Sequence, residues 1–270
     1  MHRKRWITGL VLLPPLVLLI GAGPPALLAL LVALASLVGL WEYFRIVFKD
    51  DFNAVSYPFL LLAGISAGVI VWAAYQPSPA FILAALLFNL AGCAFYGCFR
   101  FKPGYPAVAM ITRQVCGVVY VPLSLATLVL LYRSDNGAAW VFLVLAVVFA
   151  GDTAAFYVGR TWGRRKLCPE VSPGKTVEGA LGGVAGSVAA GSIVKLLSLP
   201  EVPWQEALVF FVVASVFGQA GDLFESILKR TSGVKDSGTL LPGHGGILDR
   251  TDALLFVAPL AYLFSILVGS

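Results

Sequence analysis

The sequence predicts an all-α, polytopic membrane protein of about nine transmembrane helices, and three observations predict it. Apolar residues make up 59% of the 270-residue chain and charged residues only 12%. Mean hydropathy is +0.89, beyond what a water-soluble domain of this length carries. Long apolar stretches, each close to the ~20 residues that cross a bilayer as a helix, recur from Ile7 to Val268 with only short polar connections. No soluble domain fits between them.

The spans are expected at 6–21, 24–46, 56–75, 79–98, 116–133, 138–160, 176–198, 205–229 and 250–268. The first follows the basic start Arg3-Lys4-Arg5 and is read as a retained span, because no small-residue cleavage site follows it. Pro14-Pro15 should kink it, since each proline removes a backbone donor. The breaks that follow carry turn chemistry: Gly21 to Pro25, Gln76-Pro77-Ser78-Pro79, Lys102-Pro103-Gly104, Ser134-Asp135-Asn136-Gly137, and Pro200 to Pro203. The longest polar connections, 160–176 and 229–250, flank the seventh and eighth spans.

Orientation follows from lysine and arginine placement. With the N-terminus inside, 17 of the 19 fall in cytoplasmic segments, and only Arg133 and Lys195 lie outside. The C-terminus is then outside, and loops 160–176 and 229–250 share the cytoplasmic side. The chain divides by character into an N-terminal transmembrane bundle, 1–135, and a C-terminal catalytic transmembrane region, 136–270, within one integral membrane unit. The first half carries only routine charged loop residues; from Gly151 onward, acids stand at helix ends and inside spans.

Composition also excludes. Cys93, Cys98, Cys116 and Cys168 include no CxxC pair, so a zinc site is not expected and the thiols read as inert small hydrophobes. The formal charge of +5 sits in separate short loops rather than on one basic, aromatic-interleaved surface, so no nucleic-acid partner is expected. No inverted repeat of the transporter kind is visible.

The eighth span ends Gly221-Asp222-Leu223-Phe224-Glu225-Ser226-Ile227-Leu228-Lys229-Arg230. Positions 222, 225, 226 and 229 share one helical face. Carboxylates this near a membrane surface are functional candidates; the alternative is an internal ion pair of Asp222 or Glu225 with Lys229, closing the helix end. The loop beyond carries Lys235 and Asp236, then Gly243-His244-Gly245-Gly246, then Asp249-Arg250-Thr251-Asp252. Glycines around one histidine allow close backbone approach to a ligand and expose N–H groups, as phosphate-cradling loops require. Asp249 reads either as a helix cap or, with Asp222 and Asp252, as part of an oxygen-ligand set suited to Mg²⁺. His244 reads as a phosphate donor or as a structural histidine.

A second constellation runs from Gly151-Asp152 to Gly159-Arg160 and then through Ser172-Pro173-Gly174-Lys175-Thr176-Val177-Glu178-Gly179. It is not a P-loop: the upstream glycine that the Walker pattern needs is missing, and no strand is expected before it. A cationic, hydroxyl-rich loop leading into a helix remains, with Lys175 able to meet an anion at the helix N-terminus. Asp152 is either a further oxygen ligand or a hydrogen-bond partner of a neighbouring span.

The run from Ser226 to Asp252, S-I-L-K-R-T-S-G-V-K-D-S-G-T-L-L-P-G-H-G-G-I-L-D-R-T-D, closely resembles the signature of phosphatidate cytidylyltransferases, or CDP-diacylglycerol synthases. G-D-L-F-E-S, G-D-T-A-A-F-Y-V-G-R and S-P-G-K-T-V-E-G resemble companion motifs of that family. The resemblance covers about the last 120 residues; the first half matches only as a bundle of spans.

It implies the reaction of CTP with phosphatidic acid to give CDP-diacylglycerol and pyrophosphate in phospholipid biosynthesis. It also implies Mg²⁺, and a monovalent cation such as K⁺ that could share the site. By motif position, Asp222 and Asp249 would be metal-linked; Asp152 and Asp252 are candidate ligands on the residues themselves. Ser226, Lys229, Lys235, Asp236, His244 and Arg250 would line the polar pocket, and Lys175, Thr176, Gly245 and Gly246 would hold phosphate. Gly174 stands where the family often has a second lysine, so Lys175 acts alone. The expected partners are the two substrates and the bilayer, with a homodimer left open; the expected place is a bacterial inner membrane with the site facing the cytoplasm. The alternatives are a CTP-dependent polyprenol kinase, which would need a base for a hydroxyl, an ion transporter, which would spread polar residues through the depth of several spans, and a non-catalytic scaffold.

Overall fold

The computed structural model describes residues 14–49, 57–234, 236–238 and 245–269. Among these, eight helices are long and apolar enough to cross a membrane, matching the second to ninth expected spans. Most of the first expected span lies outside the described residues; its described part, 14–22, is helical and is α1. Packing divides the chain into two compact units, one of residues 1–133 and 232–250 and the other of residues 134–231 and 251–270.

The first unit holds α2 (Pro25–Val47), α3 (Tyr57–Tyr75), α4 (Pro79–Arg100), α5 (Ala107–Val118) and α6 (Ser124–Tyr132). Prolines at the first turns of α2 and α4 start those helices, where a missing N–H costs nothing. The fifth span differs from the sequence expectation: it begins at Ala107, not near 116, so Arg113 belongs to a helix and not to a loop. Arg113 and Gln114 interrupt the apolar run, but the fold accommodates both. The Arg113 guanidinium lies 5.8 Å from the centre of the Phe48 ring, a favourable cation–π placement, and buried Gln114 accepts a hydrogen bond from Cys93 Sγ at 3.0 Å. Between α5 and α6 a π-helical turn, Val119–Leu123, contains Pro122, whose absent N–H a wider turn tolerates. Tyr43, Phe44, Phe48, Phe59 and Tyr96 form a continuous chain of ring contacts through the core of this unit.

The second unit holds α7 (Gly137–Trp162), α8 (Val177–Ser198), α9 (Trp204–Thr231) and most of α10 (Leu248–Gly269). The α7 and α8 backbones pack closely because small residues line their shared face. A Cβ on Gly186 would come within 2.5 Å of Ala154 Cβ and 2.8 Å of the Ala150 carbonyl oxygen. Segment 160–176, expected as a loop, contains a short antiparallel hairpin of β1 (Lys166–Cys168) and β2 (Ser172–Thr176). Its strands are too short to show as an alternating pattern. The hairpin is tied to α8 by Glu178, which accepts hydrogen bonds from the Arg164 and Arg165 amides at 3.0 and 3.1 Å, and to α9 by Arg230 Nε, which donates to the Val171 carbonyl at 3.2 Å.

Candidate active site

Two groups of charged and polar side chains stand out, one in each unit. In the second unit β2 delivers Lys175 to the end of α9, where its Nζ lies 2.7 Å from Asp222 Oδ2. The next residue, Thr176, is buried and caps α8 by accepting the Gly179 amide at 3.1 Å. One helical turn beyond Asp222, buried Glu225 pairs with Lys229. The two sequence alternatives for this face are therefore divided between its acids: Glu225 closes the helix end, while Asp222 reaches across to the hairpin. Ser226 is half-buried on the same helix.

Asp252 comes close to Asp222 because Gly221 lets α9 and α10 approach; a Cβ there would lie 2.5 Å from the Asp252 carbonyl oxygen. The Asp252 carboxylate interacts electrostatically with Asp222, Asp152 and Lys229, and its Oδ1 accepts the Ala253 amide at 2.8 Å. Among the described residues no three or more His, Cys, Asp or Glu side chains form a cluster that could enclose a metal ion. The donor set nonetheless suits a hard cation. Mg²⁺ is held through one or two carboxylates plus substrate phosphates rather than in an all-protein cage, and Asp222 and Asp252 are carboxylates of the kind such a site uses.

In the first unit the described parts of the motif segment, 236–238 and 245–250, are held by two carboxylates. Asp249 Oδ2 accepts hydrogen bonds from the Ser237 amide at 2.9 Å, Ser237 Oγ at 2.9 Å and the Gly246 amide at 2.8 Å. Gly245 has φ +77°, a conformation that favours glycine. Gly246 has no room for a side chain, since a Cβ would overlap Ser237 Oγ and both carboxylate oxygens of Glu42. Asp236 and Arg250 are exposed. Lys235 and His244 lie outside the described residues.

Glu42 is the residue that sequence reasoning missed. The charges of the first half read as routine loop residues, yet Glu42 sits within α2 at 4% exposure. It accepts hydrogen bonds from the Ile247 amide at 3.2 Å and the Leu248 amide at 2.8 Å, and its Oε2 lies 3.2 Å from Ser237 Oγ, whose one hydrogen it shares with Asp249. The available signal was a lone acid inside an apolar span, which is costly unless paired or functional.

The chain matches the family model described as "Cytidylyltransferase family" over residues 3–268. A protein of Thermotoga maritima named phosphatidate cytidylyltransferase is 33% identical over 99% of this chain and 97% of its own length. Proteins of the same name are 48% identical in Bacillus subtilis, over 47% of each chain, and 42% identical in Brucella suis, over 67% of this chain and 65% of that one. The likeness thus extends through the first half, well beyond the motif-bearing 120 residues. With its whole length accounted for in this way, the chain belongs to the cytidylyltransferase family.

Proposed function

We propose that this chain is a phosphatidate cytidylyltransferase that transfers the cytidylyl group of CTP to phosphatidic acid, giving CDP-diacylglycerol and pyrophosphate. The activity rests on the family and on a relative of that name matched from end to end. The structural observation that carries the site assignment is the 2.7 Å contact of Lys175 with Asp222, which brings two of the motifs singled out in the sequence together.

Both substrates are polyanions, so the chemical task is neutralisation and in-line positioning. A phosphate oxygen of phosphatidic acid attacks the α-phosphorus of CTP. The bond to the bridging oxygen breaks, and pyrophosphate leaves. No side-chain nucleophile is needed. Mg²⁺, when bound, would offset charge on the phosphates and the leaving group, and one or two of Asp222, Asp152 and Asp252 would hold it together with substrate phosphates. Lys175 is paired with Asp222 before substrate arrives; on binding it turns to the triphosphate, freeing the Asp222 carboxylate. Lys229 stays with Glu225 and fixes the helix end. Asp249, whose Oδ2 already serves three donors, holds Ser237 and Gly246, close in sequence to Asp236 and Arg250. The bilayer gives phosphatidic acid lateral access. On this reading the site faces the cytoplasm of a bacterial inner membrane with the N-terminus inside, a topology supported by the positions of lysine and arginine along the sequence.

The test is CDP-lipid and pyrophosphate production by the purified protein from CTP and phosphatidic acid, with and without Mg²⁺. Metal-dependent appearance of both products is expected. Their absence, or product formed from a lipid alcohol instead, would sink the reading.

A further inference from the structure

We infer that Glu42 is a positioning residue for the transfer reaction proposed above, acting from α2 as a cap on the first turn of α10. The first N–H groups of any helix lack partners within it and carry a partial positive charge. Here two of them, on Ile247 and Leu248, are satisfied by a carboxylate from a helix some two hundred residues earlier in the chain. Glu42 is buried, so its hold on those amides does not compete with water.

Ser237 joins this cap to the motif. Its hydroxyl has one hydrogen but lies 3.2 Å from Glu42 Oε2 and 2.9 Å from Asp249 Oδ2, and it accepts the Asp249 amide at 3.3 Å. Moving Glu42 therefore moves Ser237, the start of α10 and the Asp249 carboxylate together. Two close approaches fix the geometry: a Cβ on Gly238 or on Gly246 would collide with the Glu42 carboxylate. Glu42 touches no substrate in this scheme; it determines where the motif segment sits.

Glu42→Gln in the full-length protein keeps the side-chain size but replaces one acceptor oxygen with an NH₂ group that opposes the amides it faces. The expected result is a fall in kcat on the order of 10²-fold, the scale of a small misplacement of reacting groups, with KM for CTP and phosphatidic acid changed less than about threefold. Hydrogen exchange should show lost protection of the 246–249 amides. Combining Glu42→Gln with Ser237→Ala should cost no more than the worse single change, as for residues acting as one unit. Wild-type kcat per folded molecule, unchanged amide protection, or multiplying effects in the double variant would overturn the inference. If Glu42→Gln folds poorly, Ser237→Ala alone must reproduce both the kcat loss and the exchange change. An inactive wild-type protein would count against the transfer reaction itself, and the exchange measurement would still judge the Glu42 cap.

Discussion

Glu42 and Asp249 in the first unit accept from neutral donors, backbone amides and a serine hydroxyl, whereas Asp222 and Glu225 in the second pair with Lys175 and Lys229. Asp252 faces Asp222 and Asp152. The difference teaches how to divide shape from chemistry. A carboxylate bound by amides that belong to the fold cannot leave them without leaving donors unsatisfied, which is costly. A carboxylate paired with a lysine at the end of a hairpin can exchange that partner for a metal ion, while the lysine exchanges it for a phosphate.

The largest expected effect breaks the chemical side of this comparison. Asp222→Asn removes a metal-holding charge, and kcat/KM should fall by about 10³-fold, the scale of losing one electrostatic contact to a developing charge. Asp249→Asn leaves an acceptor oxygen for the Ser237 and Gly246 donors and should cost about tenfold less. Steady-state kinetics of both variants across a Mg²⁺ titration measures the gap, and only Asp222→Asn should raise the Mg²⁺ requirement. Equal losses, with equal shifts in metal dependence, would erase the distinction between the two units.

A smaller effect tests the shape side. Gly246→Ala places a methyl group against Ser237 Oγ and the Glu42 carboxylate, an overpacking that should cost about 1–3 kcal/mol. Thermal unfolding in detergent should show the loss, and raising Mg²⁺ should not restore activity. Unchanged stability would mean that the segment yields easily and that Glu42 does not hold it firmly.

Sequence alone carried the fold further than the site. Eight expected spans recur as long apolar helices because hydropathy over ~20 residues is a strong signal. The fifth span started late because Arg113 and Gln114 look like a loop until Phe48 and Cys93 are seen beside them. The hairpin at 166–176 escaped because three- and five-residue strands leave no period to read. Spacing placed Asp222 and Glu225 on one helical face, but it could not tell which would pair with Lys229, since both are within reach of a lysine on that face. Glu42 was missed for a different reason: a lone acid in an apolar span marks a candidate, but its partners are 195 and more positions away, and no local pattern announces a helix cap supplied by another helix.

The smallest expected effect concerns Gly174, where the family resemblance implies a second lysine beside Lys175. A Cβ at Gly174 meets nothing within 4 Å, and its φ is not in the left-handed range, so neither packing nor backbone conformation demands glycine. Gly174→Lys should fold normally, with stability changed by no more than about 0.5 kcal/mol. Because Lys175 begins paired with Asp222, an added ammonium on the adjacent residue would meet the triphosphate without first breaking an ion pair. Its position is exposed and its attraction screened, so KM for CTP should fall only about threefold, and the gain should vanish in high salt. A salt-independent gain greater than about tenfold would show that this hairpin position lies in a desolvated pocket. A loss of affinity would show that the Gly174 backbone itself must approach the phosphates, and the division between fixed and exchangeable partners would then need an additional backbone contact in the second unit.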